Sequence, residues 1–166
     1  MSKALQLILG NQLFPPQYLP SPDDAIIFMA EDLSLCTYVR HHKKKLILFL
    51  SAMRNYADSL ERQGFDVRYH SLDDDRGQSY EEKLSQTVEK TKTRLLRHFE
   101  IEDKFMEDRI AGWAIANGIE VKVDQSPMFL CSRERFAEYL EASPAPRIFR
   151  SSPRPCRSPS RFPRTP

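Results

Sequence analysis

A chain of 166 residues with 40% hydrophobic and 29% charged residues has the composition of a globular protein, and it can bury one core without disulfides or metal. No apolar run approaches the ~20 residues of a membrane span, the start at Met1–Leu9 lacks the pattern of a secretory signal, and three cysteines (Cys36, Cys131, Cys156) without CxxC spacing fit a reduced, cytoplasmic chain rather than a zinc or iron–sulfur site. The net charge of +2 conceals an asymmetry: residues 143–166 carry six arginines and no acid, which leaves residues 1–142 at −4.

In chain order, Leu5–Leu9 reads as a short strand that ends at Gly10, where the backbone can turn sharply. The loop Asn11–Pro16 cannot be helical across its prolines. Ile26–Met29, preceded by the turn-prone Pro22-Asp23-Asp24, reads as a buried strand. After a connection of mixed polarity, Leu46, Leu50, Met53, Ala57 and Leu60 step by four, three, four and three residues, which sets them on one face of a long helix. Arg62 in its last turn and Gly64 just beyond supply the stop. Val67–His70 follows as a third strand and completes the βαβ unit that seeds the fold. A charged helix over Tyr80–Lys90 covers little apolar surface and is expected at the periphery. Arg94–His98 reads as the fourth strand. Ile101-Glu102-Asp103 leads a helix with Phe105, Ile110, Trp113 and Ala114 inward, closed by Asn117-Gly118. Glu120–Val123 is the fifth strand, and a last helix near Ser132–Leu140 starts on Ser132.

Five short strands alternating with helices give an α/β fold: a doubly wound, Rossmann-like, five-stranded parallel sheet with helices on both faces. Ligands in such sheets sit outside the carboxyl ends of the strands at the switch point, here Gly10–Leu13, Met29–Tyr38 and His98–Lys104. The domain is expected to span residues 1–142. Residues 143–166 hold seven prolines, six arginines and five serines among 24 residues, and such a tail is expected to be disordered.

The sequence contains no GxGxxG, P-loop, GxSxG or HExxH motif. His41-His42 before Lys43-Lys44-Lys45 reads as a solvated first helical turn with one histidine packed, with anion binding at a helix start as the second reading. Glu100, Glu102 and Asp103 read as helix-capping acids, with acid–base chemistry as the alternative. Cys36 and Cys131 have no triad around them and read as packed side chains, and Trp113 as core. No catalytic set emerges from the residues themselves.

Four blocks carry a resemblance: ILGNQLFPP at 8–16, FMAEDLSLCTYVRHHKKKLILFLSAMR at 28–54, HFEIEDKFMEDRI at 98–110 and SPMFLCSRERFAEYL at 126–140. Together they resemble the N-terminal domain of the photolyase-related branch of the cryptochrome/photolyase family, whose full-length members carry an iron–sulfur cluster. The resemblance covers roughly residues 4–142. It implies a ribityllumazine-type antenna chromophore at the ligand edge, with Gly10, Asn11, Met29, Glu31, Cys36, Tyr38 and Phe49 around it. Many family members have an acid where Asn11 stands and a glutamate at the position of Leu35; both replacements remove hydrogen-bond acceptors for a flavin-like ring.

In full-length members a long helical domain follows, which binds FAD, holds the cluster cysteines and engages damaged DNA. The resemblance stops near Ser143. The expectation is therefore a truncated family member with an out-of-frame or degenerate tail, inactive alone in light-dependent DNA repair and prone to self-association through the uncovered domain interface. Two other readings stand beside it: a small α/β module that holds nucleic acid through its basic tail, and an unrelated enzyme on the same fold.

Overall fold

The computed structural model describes residues 3–74 and 77–142. The arginine-rich tail lies outside the described residues, and with it Cys156, the expected disorder and the nucleic-acid reading that works through that tail. The chain divides into two compact units, the first ending at Asp124 and the second beginning at Gln125.

The first unit contains β1 (Ala4–Leu7), β2 (Ala25–Ala30), α1 (Leu33–Thr37), α2 (Lys43–Arg62), β3 (Asp66–His70), α3 (Tyr80–Thr91), β4 (Leu95–Phe99), α4 (Lys104–Asn117) and β5 (Glu120–Asp124). Its five strands form one sheet in the order β3-β2-β1-β4-β5, parallel throughout. Every residue of β1 and β2 is buried, as a strand with both faces covered requires. The register sets Leu5 beside Ile26 on one side and Leu96 on the other. Alternation then sorts the core into two layers. Leu5, Leu7, Phe28 and Leu96 pack against Tyr80 and Leu84 of α3 and Met106, Ile110 and Trp113 of α4. Ile8, Ile27 and Met29 pack against Met53, Ala57 and Leu60 of α2. The fold is a doubly wound α/β sheet.

The stepped face of α2 goes inward as its spacing requires, with Met53, Ala57 and Leu60 buried; burying each large side chain contributes about 1.5–3 kcal/mol. No α-helix joins β1 to β2. A 3₁₀ turn at Pro16–Tyr18 does, and Leu13 and Leu19 of this connection pack on the α2 layer, held by the Tyr56 hydroxyl donating to the Phe14 carbonyl at 2.7 Å.

Two expectations need correction. The helix α3 is not peripheral: Tyr80, Lys83, Leu84 and Thr87 are all buried. Phe105 is 66% exposed, and Met106 takes the inward place on α4. The connection after β2 is partly helical, because Asp32 caps the short α1 by accepting from the Ser34 amide at 2.7 Å. Elsewhere the caps act as read. Asp103 starts α4 by accepting from the Phe105 and Met106 amides, and Gly118 ends it in the left-handed conformation at φ 63°. In the second unit, α5 (Arg133–Glu141) is capped by the Ser132 side chain accepting from the Arg135 amide.

Candidate functional site

The order in which strands are added reverses at β1, whose neighbours in the sheet are β2 on one side and β4 on the other. At this switch point, beyond the carboxyl ends of β1, β2 and β4, lies a cavity of about 380 Å³, within the size range of small-molecule sites. The segment after β1 contributes Leu9, Gly10 and Asn11; the end of β2 contributes Ala30, Glu31 and Asp32. α1 and α2 add Cys36, Leu46, Phe49 and Met53, and Ile101, Asp103 and Met106 close the β4 side.

Gly10 matters here for space. Its φ is not among the positive ones, but the chain turns at it as expected, the Gln12 amide donating to the Leu9 carbonyl at 2.8 Å. A methyl at this position would lie 2.4 Å from Phe49 Cε1 and 2.6 Å from Met53 Sδ. The absent side chain lets the Phe49 ring lie directly on the backbone. Asn11 donates its amide N–H to Glu102 at 2.9 Å, which leaves its amide oxygen as an acceptor at the cavity margin. Gln12 reaches the Glu100 carbonyl at 2.8 Å and ties the same loop to the end of β4.

The two acids at the end of β2 are consumed by the fold. Arg54 grips Glu31 with both ends of its guanidinium, at 2.6 and 3.0 Å. The Tyr69 hydroxyl and the Leu72 amide donate to the same carboxylate at 2.6 and 2.9 Å. Burial alone would raise the pKa of Glu31, but these four hydrogen bonds outweigh it and hold the carboxyl below its ordinary range. Arg54 also reaches Asp73 at 3.2 Å, so the loop after β3 is fastened to the same point. Asp32 is paired with Arg109 at 3.3 Å, and Arg109 with Glu81 at 2.7 Å. Beneath them the buried ammonium of Lys83 donates to the Glu31 carbonyl at 2.8 Å. These contacts join α2, α3 and α4 to the cavity floor.

Other polar groups remain available. Burial first, then the carboxylates of Asp32 and Glu31, push the Cys36 thiol up, so it stays protonated and is a poor nucleophile. His42 caps α2 by accepting from the Lys44 amide at 3.2 Å. His41 packs edge-on against Tyr38 with ring centres 5.6 Å apart and, with Lys45, lines the cavity. Tyr80 also lines it, and its hydroxyl is sealed from solvent without a partner among the described residues.

Of the residues that the resemblance pointed to, Gly10, Asn11, Glu31, Cys36, Tyr38 and Phe49 line this one cavity. Met29 does not; it is fully buried in the α2 layer. Of the alternative acids, Asp103 caps α4, Glu102 binds Asn11, and Glu100 is buried at the end of β4. Sequence reasoning missed Tyr80, Lys83 and Arg109, because each arrives from a helix distant in the chain.

This geometry defines a doubly wound α/β domain with an open cleft at its topological switch point. Comparison with known proteins specifies the family: the model for "Deoxyribodipyrimidine photo-lyase-related protein" matches residues 6–149. A (6-4) photolyase of Agrobacterium fabrum (strain C58 / ATCC 33970) is 31% identical over 140 residues, which cover 81% of this chain and 27% of that protein. The chain belongs to the deoxyribodipyrimidine photolyase-related family, and it spans about a quarter of the length of this curated relative. No helix among the described residues is long and apolar enough to cross a membrane, and no group of metal-ligating side chains occurs among them.

Proposed function

We propose that this chain is the antenna-chromophore-binding domain of a light-dependent DNA-repair protein, and that a ribityllumazine-type chromophore occupies the cavity at the switch point. The observation that carries the reading is the convergence of Gly10, Asn11, Cys36, Tyr38 and Phe49 on one cavity of about 380 Å³. Its residues fit such a group. Leu46, Phe49, Leu50, Met53, Ile101 and Met106 offer an apolar bed for a planar ring, and Asn11, His41 and Lys45 supply polar atoms around it.

When bound, the chromophore supplies absorption of near-ultraviolet and blue light. The protein's part is to bind and orient it. Phe49, seated on Gly10, forms an aromatic wall, and the Glu31–Arg54 and Asp32–Arg109 pairs keep the floor rigid and electrically balanced. In this reading FAD, the iron–sulfur cluster and damaged DNA belong to the helical domain of full-length family members.

The test is a titration of the purified chain with ribityllumazine, and separately with FAD, followed by absorption and equilibrium dialysis. Stoichiometric lumazine binding with a shifted band is the expected result. Failure of both ligands to bind would sink the proposal.

A further inference from the structure

We infer that residues 33–42, which carry α1 and the turn after it, form a lid over this cavity, and that Tyr38 closes on the occupant. The inference rests on the chromophore reading above and adds how the site opens and shuts. Leu35, Cys36, Tyr38 and His41 line the cavity, yet their segment is weakly fastened to the domain it covers. No residue of α1 is buried. Among the described residues, the hydrogen bonds of residues 33–41 stay within 32–42. Ser34 donates to the Asp32 carboxylate and the Thr37 hydroxyl to the Leu33 carbonyl; the Cys36 and Tyr38 amides donate to the carbonyls of Asp32 and Ser34. Leu35 is the residue of the segment that packs on a core layer, partly buried against that of α3 and α4.

The two ends, by contrast, are fixed. Asp32 is buried and paired with Arg109 at 3.3 Å, and His42 caps α2. Both end residues have extended backbone, so they can act as hinges without breaking a helix. A segment tied at its ends and held between them by local bonds opens at low free energy, and segments of this kind gate binding sites.

A second observation is the apolar surface that this segment leaves in water. Leu33 is 49%, Tyr38 70% and Val39 46% exposed. Large apolar groups gain by leaving water, and a planar ring lying on Leu46, Phe49 and Met53 gives them a surface to close upon. Closure brings the Tyr38 ring onto the chromophore, which is then held by aromatic contact from Tyr38 as well as from Phe49.

The experiment uses the whole chain. Hydrogen exchange is followed with and without saturating ribityllumazine, and ribityllumazine dissociation is timed for the parent, Tyr38→Phe and Tyr38→Ala. Tyr38 is largely exposed, so neither variant threatens folding. In the free chain the amides of residues 33–41 should exchange at least about tenfold faster than those in the middle of α2, and ribityllumazine should slow them at least about tenfold. The slowing should reach Val39 and Arg40, which do not line the cavity, as closure of the whole segment requires and contact with the ligand alone does not. Tyr38→Ala should dissociate about tenfold faster with association changed far less, and Tyr38→Phe, which keeps the ring, should stay within about twofold of the parent.

Unchanged exchange across residues 33–41 in a chain that binds ribityllumazine would make the segment a fixed wall, overturning the lid and leaving the chromophore reading standing. Dissociation from Tyr38→Ala as slow as from the parent would overturn the part given to Tyr38. No binding of ribityllumazine by the parent would overturn the chromophore reading and the lid with it.

Discussion

Replacing Gly10 with alanine places one methyl group against the aromatic wall of the cavity. The new carbon would stand 2.4 and 2.7 Å from Phe49 Cε1 and Cζ, and 2.6 Å from Met53 Sδ. Carbon atoms pack at about 3.5–4.0 Å, so the ring must retreat by roughly 1 Å. Phe49 is 41% exposed and has room to swing outward, and the thioether of Met53 is flexible. The cost in stability is therefore that of moderate overpacking, about 1–3 kcal/mol. The cost in binding should be larger in proportion, because the displaced ring forms a wall of the site; at least about tenfold in dissociation constant is expected, equivalent to about 1.4 kcal/mol. Urea unfolding and chromophore titration of the same preparation separate the two effects. Gly112→Ala is the control, since a methyl there meets nothing within 4 Å. In the exposed face of α4 it should stabilise by about 0.5–1 kcal/mol without touching binding. A Gly10→Ala chain that folds and binds chromophore as tightly as the parent would refute the reasoning.

Two further predictions concern the frame around the cavity. Glu31→Gln removes the charge that Arg54, Tyr69 and Leu72 hold. A loss of about 2–3 kcal/mol is expected in denaturant unfolding, reduced from a fully buried pair because Arg54 is 46% exposed. Because the folded-state pKa of Glu31 lies below its ordinary 4.5, its contribution is fully present above that value. It is lost as pH falls through the folded pKa. Unfolding midpoints measured from neutral into acid pH should decline less steeply for Glu31→Gln than for the parent, and parallel curves would contradict the assignment. Ser79→Ala breaks the capping box of α3, in which Ser79 Oγ accepts from the Glu82 amide at 3.2 Å and Glu82 accepts from the Ser79 amide at 2.7 Å. It should lower stability by about 1 kcal/mol, read as a shifted urea midpoint.

Much of this fold can be read from local pattern. The continuous apolar run of β2 and the four-and-three stepping of α2 identify a buried strand and its covering helix, because nothing else in the chain competes for those residues. The helix α3 shows where pattern fails. Its inward face is Tyr80, Lys83, Leu84 and Thr87, so half of it is polar by type. A buried lysine stem packs like a hydrocarbon while its ammonium finds the Glu31 carbonyl, and no hydrophobicity pattern registers that. On α4 the inward series is Met106, Ile110 and Trp113, in steps of four and three. Choosing Phe105 for its size shifts the face by one position, about 100° of helix.

The site follows the same division. Its location at the carboxyl edge follows from topology once five parallel strands are recognised, and Gly10 through Phe49 come from two short stretches of sequence. The pairings that rigidify it do not. Glu31 and Arg54 are 23 residues apart, and Asp32 and Arg109 are 77 apart; only the folded chain shows which cation neutralises which acid. Glu31 is the clearest case, because it lines the cavity yet has no acceptor left to offer a ligand.

A crystal structure of the chain with ribityllumazine bound would test the central claim most directly. The expected result is one chromophore in the switch-point cavity, its ring against Phe49 and over Gly10, with the Glu31–Arg54 pair intact beneath it. Chromophore bound elsewhere on the chain, or an unaltered empty cavity at saturating ligand, would contradict it.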